Sequence, residues 1–128
     1  MIYIVLNALP ILAATAGGLL FGYFYAALMR MHGVSPAIFF TVALAEFWLA
    51  AILAGALILA PAKEGVWTMT LGSAFVIWIG FVAPVMMTSY RFRRLRVRTA
   101  LLDSAHWLGV MLIQAIVLRL IGLTPPPA

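Results

Sequence analysis

The chain has 128 residues, of which 66% fall in the set AVILMFWYC and 9% are charged, against about half and about a quarter in an average soluble domain. One domain of 13.9 kDa lacks the interior to hide so much apolar side chain from water. With a mean hydropathy of +1.17 the remaining solvent is lipid, which excludes soluble enzymes, secreted toxins and disordered linkers together. The formal net charge is +5, and the ionisable inventory is three acids, two histidines and eight basic residues, with no cysteine. Disulfide frameworks, thiolate metal sites and cysteine nucleophiles are therefore out of reach.

A hydrocarbon core of about 30 Å takes about 20 apolar residues per helix, and the chain is punctuated at that interval. The first span is predicted from about Ile2 to Leu28, ending at Arg30-Met31-His32-Gly33. Asn7 and Pro10 lie in its outer turns, where a missing N–H costs little. Met1-Ile2-Tyr3-Ile4 has no basic n-region, so the span reads as retained rather than as a cleaved signal peptide. Ala14, Gly18, Gly22 and Ala26 place a small residue at every fourth position. Lipid gives helices no hydrophobic reason to associate, and close backbone approach over small residues substitutes for it. The stripe is expected to face another helix of the same chain, with a homodimer seam as the alternative.

The second span starts at Ser35-Pro36, a serine N-cap with proline at the first helical position. It runs to about residue 60, before Pro61-Ala62-Lys63-Glu64-Gly65. Glu46 lies ten residues past Pro36, about 15 Å along an ideal helix and so close to the bilayer midplane. A carboxylate there costs several kcal/mol unless it is neutralised or paired. Two readings stand: a neutral carboxyl that hydrogen-bonds across helices as structural glue, or a proton- or cation-binding site in a transport path. Nearby Trp48 is read as a packing residue whose indole N–H needs a partner.

The third span is predicted over 66–90, kinked at Gly80 and Pro84, with Gly72 and Gly80 as a looser second packing stripe. Trp78 is a second deep packing residue. Tyr23, Tyr25, Trp67 and Tyr90 fall near span ends and read as a belt at headgroup level. The loop that follows, 91–98, alternates Arg91, Arg93, Arg94, Arg96 and Arg98 with Phe92, Leu95 and Val97. Clustered arginines with an interleaved aromatic can grip nucleic acid, but a run directly beside two spans gains about 1 kcal/mol per basic residue from anionic lipid headgroups. Headgroup anchoring is the expectation, protein docking the alternative, and no nucleic-acid partner is expected. With Arg30, this loop sets six basic residues on one side of the membrane against Lys63 and Arg119 on the other. By the positive-inside bias the arginine loop is cytoplasmic and both termini are outside.

The fourth span is predicted over 99–121. Its midpoint near Val110 puts His106 within about one helical turn of the level of Glu46, with Thr15, Trp78 and Gln114 at similar depth. Asp103 and His106 are spaced i, i+3 and can meet. Asp103, Val110 and Gln114 share one helical face, with His106 at its margin. Glu46, His106, Asp103 and Gln114 are thus the candidate intramembrane polar site. Asp103 is read as a first-turn acid favoured by the helix dipole, and Arg119, on the opposite face, as snorkelling to the outer interface. The helix gives way at Gly122 to a proline-rich tail, 124–128. His32 and His106 differ in depth and no His-x-x-x-His or Glu-x-x-His spacing occurs, so no metal, haem or other cofactor is expected. Ser104 beside Asp103 and His106 is proximity in sequence without base geometry, and the chain reads as no enzyme.

The fold expected is all-α: one polytopic membrane domain over 1–128, a four-transmembrane-helix bundle whose short connections make consecutive helices antiparallel neighbours. Three stretches carry a resemblance: Gly22-Tyr23-Phe24-Tyr25, Trp78-Ile79-Gly80-Phe81-Val82-Ala83-Pro84, and Leu101-Leu102-Asp103-Ser104-Ala105-His106-Trp107-Leu108. Together they resemble the DUF1761 family of small bacterial integral membrane proteins, from which the arginine run departs in being longer. The resemblance implies four helices and a bacterial inner membrane, and no chemistry.

Three functions compete. The favoured one is a non-catalytic accessory or scaffold subunit that packs against larger membrane subunits, or against a second copy, through small-residue stripes. The alternative is a small proton- or cation-coupled transporter centred on Glu46 and His106, and the third is an oligomeric pore. Small multidrug transporters are similar in having four helices and one deep glutamate. They carry it in the first helix, not the second, and the six-to-two basic bias here disfavours the dual insertion their antiparallel dimers require.

Overall fold

The first span is interrupted at Asn7. In the computed structural model, which describes residues 1–31, 33–61 and 63–127, α1 (Ile2–Leu6) and α2 (Ala8–Leu28) meet at this residue. Its φ of −112° and ψ of 25° leave the helical region. The expected single helix over 2–28 is therefore two. The break frees the Asn7 side chain: Nδ2 donates to the carbonyls of Tyr3 and Thr124, both at 2.8 Å, and Oδ1 accepts from the Thr124 N–H at 2.6 Å. The two ends of the chain are thereby joined. With α2 restarting at Ala8, Pro10 falls in its first turn, where its missing donor had no intrahelical acceptor.

α3 (Pro36–Leu59) opens at the Ser35 cap, whose Oγ accepts from the Ile38 N–H at 3.2 Å. The third span comprises α4 (Val66–Ile77), a π-helical turn (Trp78–Val82) and α5 (Ala83–Phe92). Pro84 has no N–H for the carbonyl four residues back, that of Gly80, and the ladder takes up the loss in a wider turn. The span ends at Phe92, beyond the expected 90. α6 (Val97–Ile121) starts before the expected 99, so the non-helical part of the arginine loop is 93–96, with Arg91 in α5 and Arg98 in α6. Asp103 is consequently past the first turn, which holds no acid, and the helix-dipole reading of it is corrected.

α2 and α5 finish alike. The Met31 N–H bonds back to Ala26 O at 2.9 Å and the Leu95 N–H to Tyr90 O at 3.0 Å. The turn in each case passes through an arginine in the left-handed region, Arg30 at φ 55° and Arg94 at φ 57°. Glycine is the usual occupant of this position. His32, Ala62 and Ala128, which belong to the expected loops and tail, lie outside the described residues.

Among the described residues, four helices are long and apolar enough to cross a membrane, and α6 touches α2, α3 and every part of the third span. α2 and α3 pack on each other and on α6, and α4 packs on α3 and α6. α5 touches only α6 and the π turn it follows. The buried apolar core, including Ile11, Ala14, Ala54 and Leu118, gathers toward the end that carries both termini. At the arginine-rich end α5 buries nothing, and in α3 the first buried residue is Glu46.

The small-residue stripe of α2 faces inward, with Ala14 and Gly18 buried and Gly22 and Ala26 half-buried. The second stripe is corrected: a Cβ on Gly72 or Gly80 would meet nothing within 4 Å, so neither brings two helices of this chain together. Trp48 is also corrected. It is 52% exposed and faces outward, where the lipid lies.

Candidate functional site

Glu46 is 1% exposed, on the inner face of α3. The space it occupies exists because two residues of α2 lack side chains. A Cβ on Gly18 would collide with Glu46 Oε2 and would crowd Gln114 Nε2 and Val110 Cγ1, each at 3.1 Å. A Cβ on Gly22 would stand 3.2 Å from His106 Nε2 and 3.9 Å from Glu46 Oε1. The glycines at every fourth position therefore do more than let helices approach, since they make room for a carboxyl.

Gln114 Nε2 donates to the backbone carbonyl of Glu46 at 3.0 Å, pinning α6 to α3 at this level. It does not reach the carboxyl. Both carboxyl oxygens are buried without a hydrogen-bond partner, and so are Gln114 Oε1 and Ser104 Oγ. This bears on the structural-glue reading, which requires the carboxyl to bond across helices. It makes no such bond, and the expected Glu46–His106 pair is not hydrogen-bonded either. Buried polar atoms are nearly always satisfied, and the orphaned oxygens of Glu46 and Gln114, side by side, need an explanation.

The His106 ring is fixed by packing. Its centroid lies 5.2 Å from that of Tyr25, 5.1 Å from Trp107 and 6.2 Å from Phe21, the last nearly parallel. The Tyr25 hydroxyl donates to Leu102 O at 2.6 Å, so this tyrosine turns into the bundle instead of joining a headgroup belt. Tyr90 does the same, donating to Asp103 Oδ2 at 2.7 Å, while Tyr23 and Trp67 stay exposed. Trp78 Nε1 donates to Ser104 O at 2.8 Å, which fills the requirement of its indole. The four expected site residues thus fall into two groups: Glu46 with Gln114 and His106 around the glycines, and Asp103 held by Tyr90 beyond them.

The structure adds partners that a reading of sequence missed. Tyr90 is one, and its signal was there: Asp103, Ser104 and His106 on a single helix make a polar face that must be met from another. Arg119 is another. It does not simply snorkel, since its Nε donates to Thr70 Oγ1 at 2.8 Å, and Thr70 in turn donates to Val66 O at 2.7 Å. With Leu57, Met69, Leu123 and Pro125, Arg119 walls a cavity of about 220 Å³.

A bare carboxylate at this depth is costly, whereas a carboxyl with free oxygens can take and release a proton or hold a small cation. No family model, curated protein or solved structure matches the chain.

Proposed function

We propose that this small integral membrane protein is a proton- or cation-coupled transporter, with Glu46 as the binding group and His106 as its neighbour. One observation carries the reading: Glu46 is buried, and neither carboxyl oxygen has a hydrogen-bond partner among the described residues. An acid kept for architecture would be bonded to the helices it joins. An acid kept for exchange needs free oxygens and a neighbouring group that can share its proton. The six-to-two distribution of basic residues supports a cytoplasmic arginine-rich end, with its exposed arginines among anionic headgroups. The DUF1761-like motifs support placement in a bacterial inner membrane.

The test is flux in proteoliposomes after an external pH jump. The native chain is expected to equilibrate the interior faster than empty vesicles, and Glu46→Gln is expected to lose at least about tenfold of that excess, in line with the loss of a proton-transferring group. Equal flux in native and variant chains would overturn the reading.

A second reading, the accessory subunit, is favoured by a different observation. Gly72 and Gly80 form a small-residue surface on which an added Cβ would meet no described residue within 4 Å, and such surfaces suit helix packing in lipid. A native purification that brings down another membrane protein at stoichiometric amount, lost in Gly72→Leu, would support it.

A further inference from the structure

Polar groups are not spread evenly along the bundle around Glu46. Toward the end that carries both termini, the interior next to it is formed by Ile11, Ala14, Leu53, Met111, Ala115 and Leu118, each 0% exposed, together with the Gln114 amide, which does not titrate and whose Nε2 is engaged by the Glu46 carbonyl. Thr15, the polar side chain at this level of α2, turns back on its own helix, donating to Ile11 O at 2.8 Å. Toward the arginine-rich end the lining changes. His106 Nε2 and Glu46 Oε1 face one another across the space that Gly22 leaves, at 3.2 Å and 3.9 Å from where its Cβ would be. Asp103 stands one turn beyond His106 on α6, half-buried, and accepts the Tyr90 hydroxyl. Past Tyr90 the chain is exposed from Arg91 to Thr99. The third span leaves this side open, because α5 packs on α6 and not on α2 or α3.

Resting on the reading of Glu46 as a reversible binding site, we infer that the proton reaches Glu46 from the arginine-rich end alone, by way of Asp103 and His106, with Tyr90 positioning Asp103. Inward, His106 takes a proton from the water around Asp103 and becomes imidazolium. It then gives one from Nε2 to the Glu46 carboxylate through one bridging water. The imidazole ends neutral and the carboxylate ends as carboxyl, so each passage moves one proton and no electrons. The outward passage is the reverse.

The groups that bear on these protons are few. Glu46 faces His106 of α6 across the space at Gly22, takes a hydrogen bond from Gln114 of α6 on its backbone carbonyl, and has two glycines of α2 and no titratable side chain of that helix beside it. His106 packs on Tyr25 of α2 and has Asp103 one turn away on its own helix, and Asp103 accepts from Tyr90 at the end of the third span. Packing by Phe21, Tyr25 and Trp107 holds the imidazole in place without offering it a competing charge.

Because the chain has no cysteine, Lys63→Cys with a membrane-impermeant maleimide reports which way each molecule faces in a proteoliposome. The readout is the infrared carboxyl band of Glu46, assigned by its loss in Glu46→Gln, after a stopped-flow jump of external pH. The fast amplitude is expected to scale with the fraction whose arginine-rich end faces out. His106→Phe is expected to slow that phase on the order of 10²-fold while keeping the band, as removal of a proton-transferring group does. Tyr90→Phe is expected to slow it less and to shift its pH profile, which a purely structural loss would not do. An amplitude independent of orientation, or tracking the opposite fraction, overturns the one-sided route, as does an unchanged rate in His106→Phe. Either result leaves Glu46 as a titrating site. Absence of any titrating Glu46 band between about pH 4 and pH 9, a range that brackets ordinary carboxylate and imidazole titration, overturns the route and the reading of Glu46 together. The orientation dependence needs no substitution on the route itself, so it decides the matter even if His106→Phe fails to fold.

Discussion

The half of the bundle that carries the termini and the half that carries the arginines are built on different terms. The first is closed: small residues from α2 and α3 interlock with α6, the buried apolar cluster is contiguous, and Asn7 joins the start of the chain to Thr124. The second is open: α5 buries no residue, and α3 buries none before Glu46. Glu46 lies at the boundary. A carboxyl set deep in the closed half would have no route to water, and one set in the open half would be an ordinary surface acid. Placement at the edge of the dry core gives it burial on one side and polar neighbours on the other. That arrangement is what reversible binding requires of a membrane carboxyl.

The largest effect that would break this contrast comes from the glycines. Gly18→Val drives a branched side chain into Glu46, Gln114 and Val110 and is expected to cost about 3 kcal/mol, the upper range for overpacking, read by unfolding in mixed detergent micelles. Asn7→Ala comes next. It leaves the Thr124 N–H without its acceptor and is expected to cost about 2 kcal/mol, with faster hydrogen exchange at the Thr124 amide. In the open half, Tyr90→Phe removes a single hydrogen bond to Asp103, and a loss of about 1 kcal/mol is expected. The smallest effects run the other way. Gly72→Ala meets open space and is expected to raise stability by at most about 1 kcal/mol through helix propensity. Arg94→Gly relieves a left-handed arginine at φ 57° and is expected to gain about as much. If Gly18→Val were as harmless as Gly72→Ala, the distinction between a packed and an unpacked glycine stripe would fall.

Much of the fold is legible in the sequence because lipid imposes a length, and Ser35-Pro36 and Gly122 mark where helices start and stop. The level of Glu46, with Gln114 and His106 near it, follows from the rise of a helix. Which way a residue faces does not follow so simply. In water the apolar side of a helix is the inner side; in lipid both sides are apolar, and Trp48 and Gly72 carry no mark that separates an interior position from a lipid-facing one. Tyr25 and Tyr90 look like belt residues for the same reason, as an amphipathic ring near a span end can turn its hydroxyl to water or to a neighbouring helix. The break at Asn7 depends on a partner 117 positions away, and no local pattern announces it. The sequence leads one to expect a contact at Gly22, but the space it leaves between an imidazole and a carboxyl is visible only once three helices are in place.

The most direct test is a paired measurement on Glu46→Gln: unfolding stability in mixed micelles and proton flux in proteoliposomes. If the carboxyl is unpartnered and kept for exchange, stability is expected to stay within about 1 kcal/mol of the native chain, since no hydrogen bond is lost, while flux falls at least about tenfold. A variant that loses several kcal/mol of stability while its flux persists would show Glu46 to be a structural tie between helices, and would contradict the central claim.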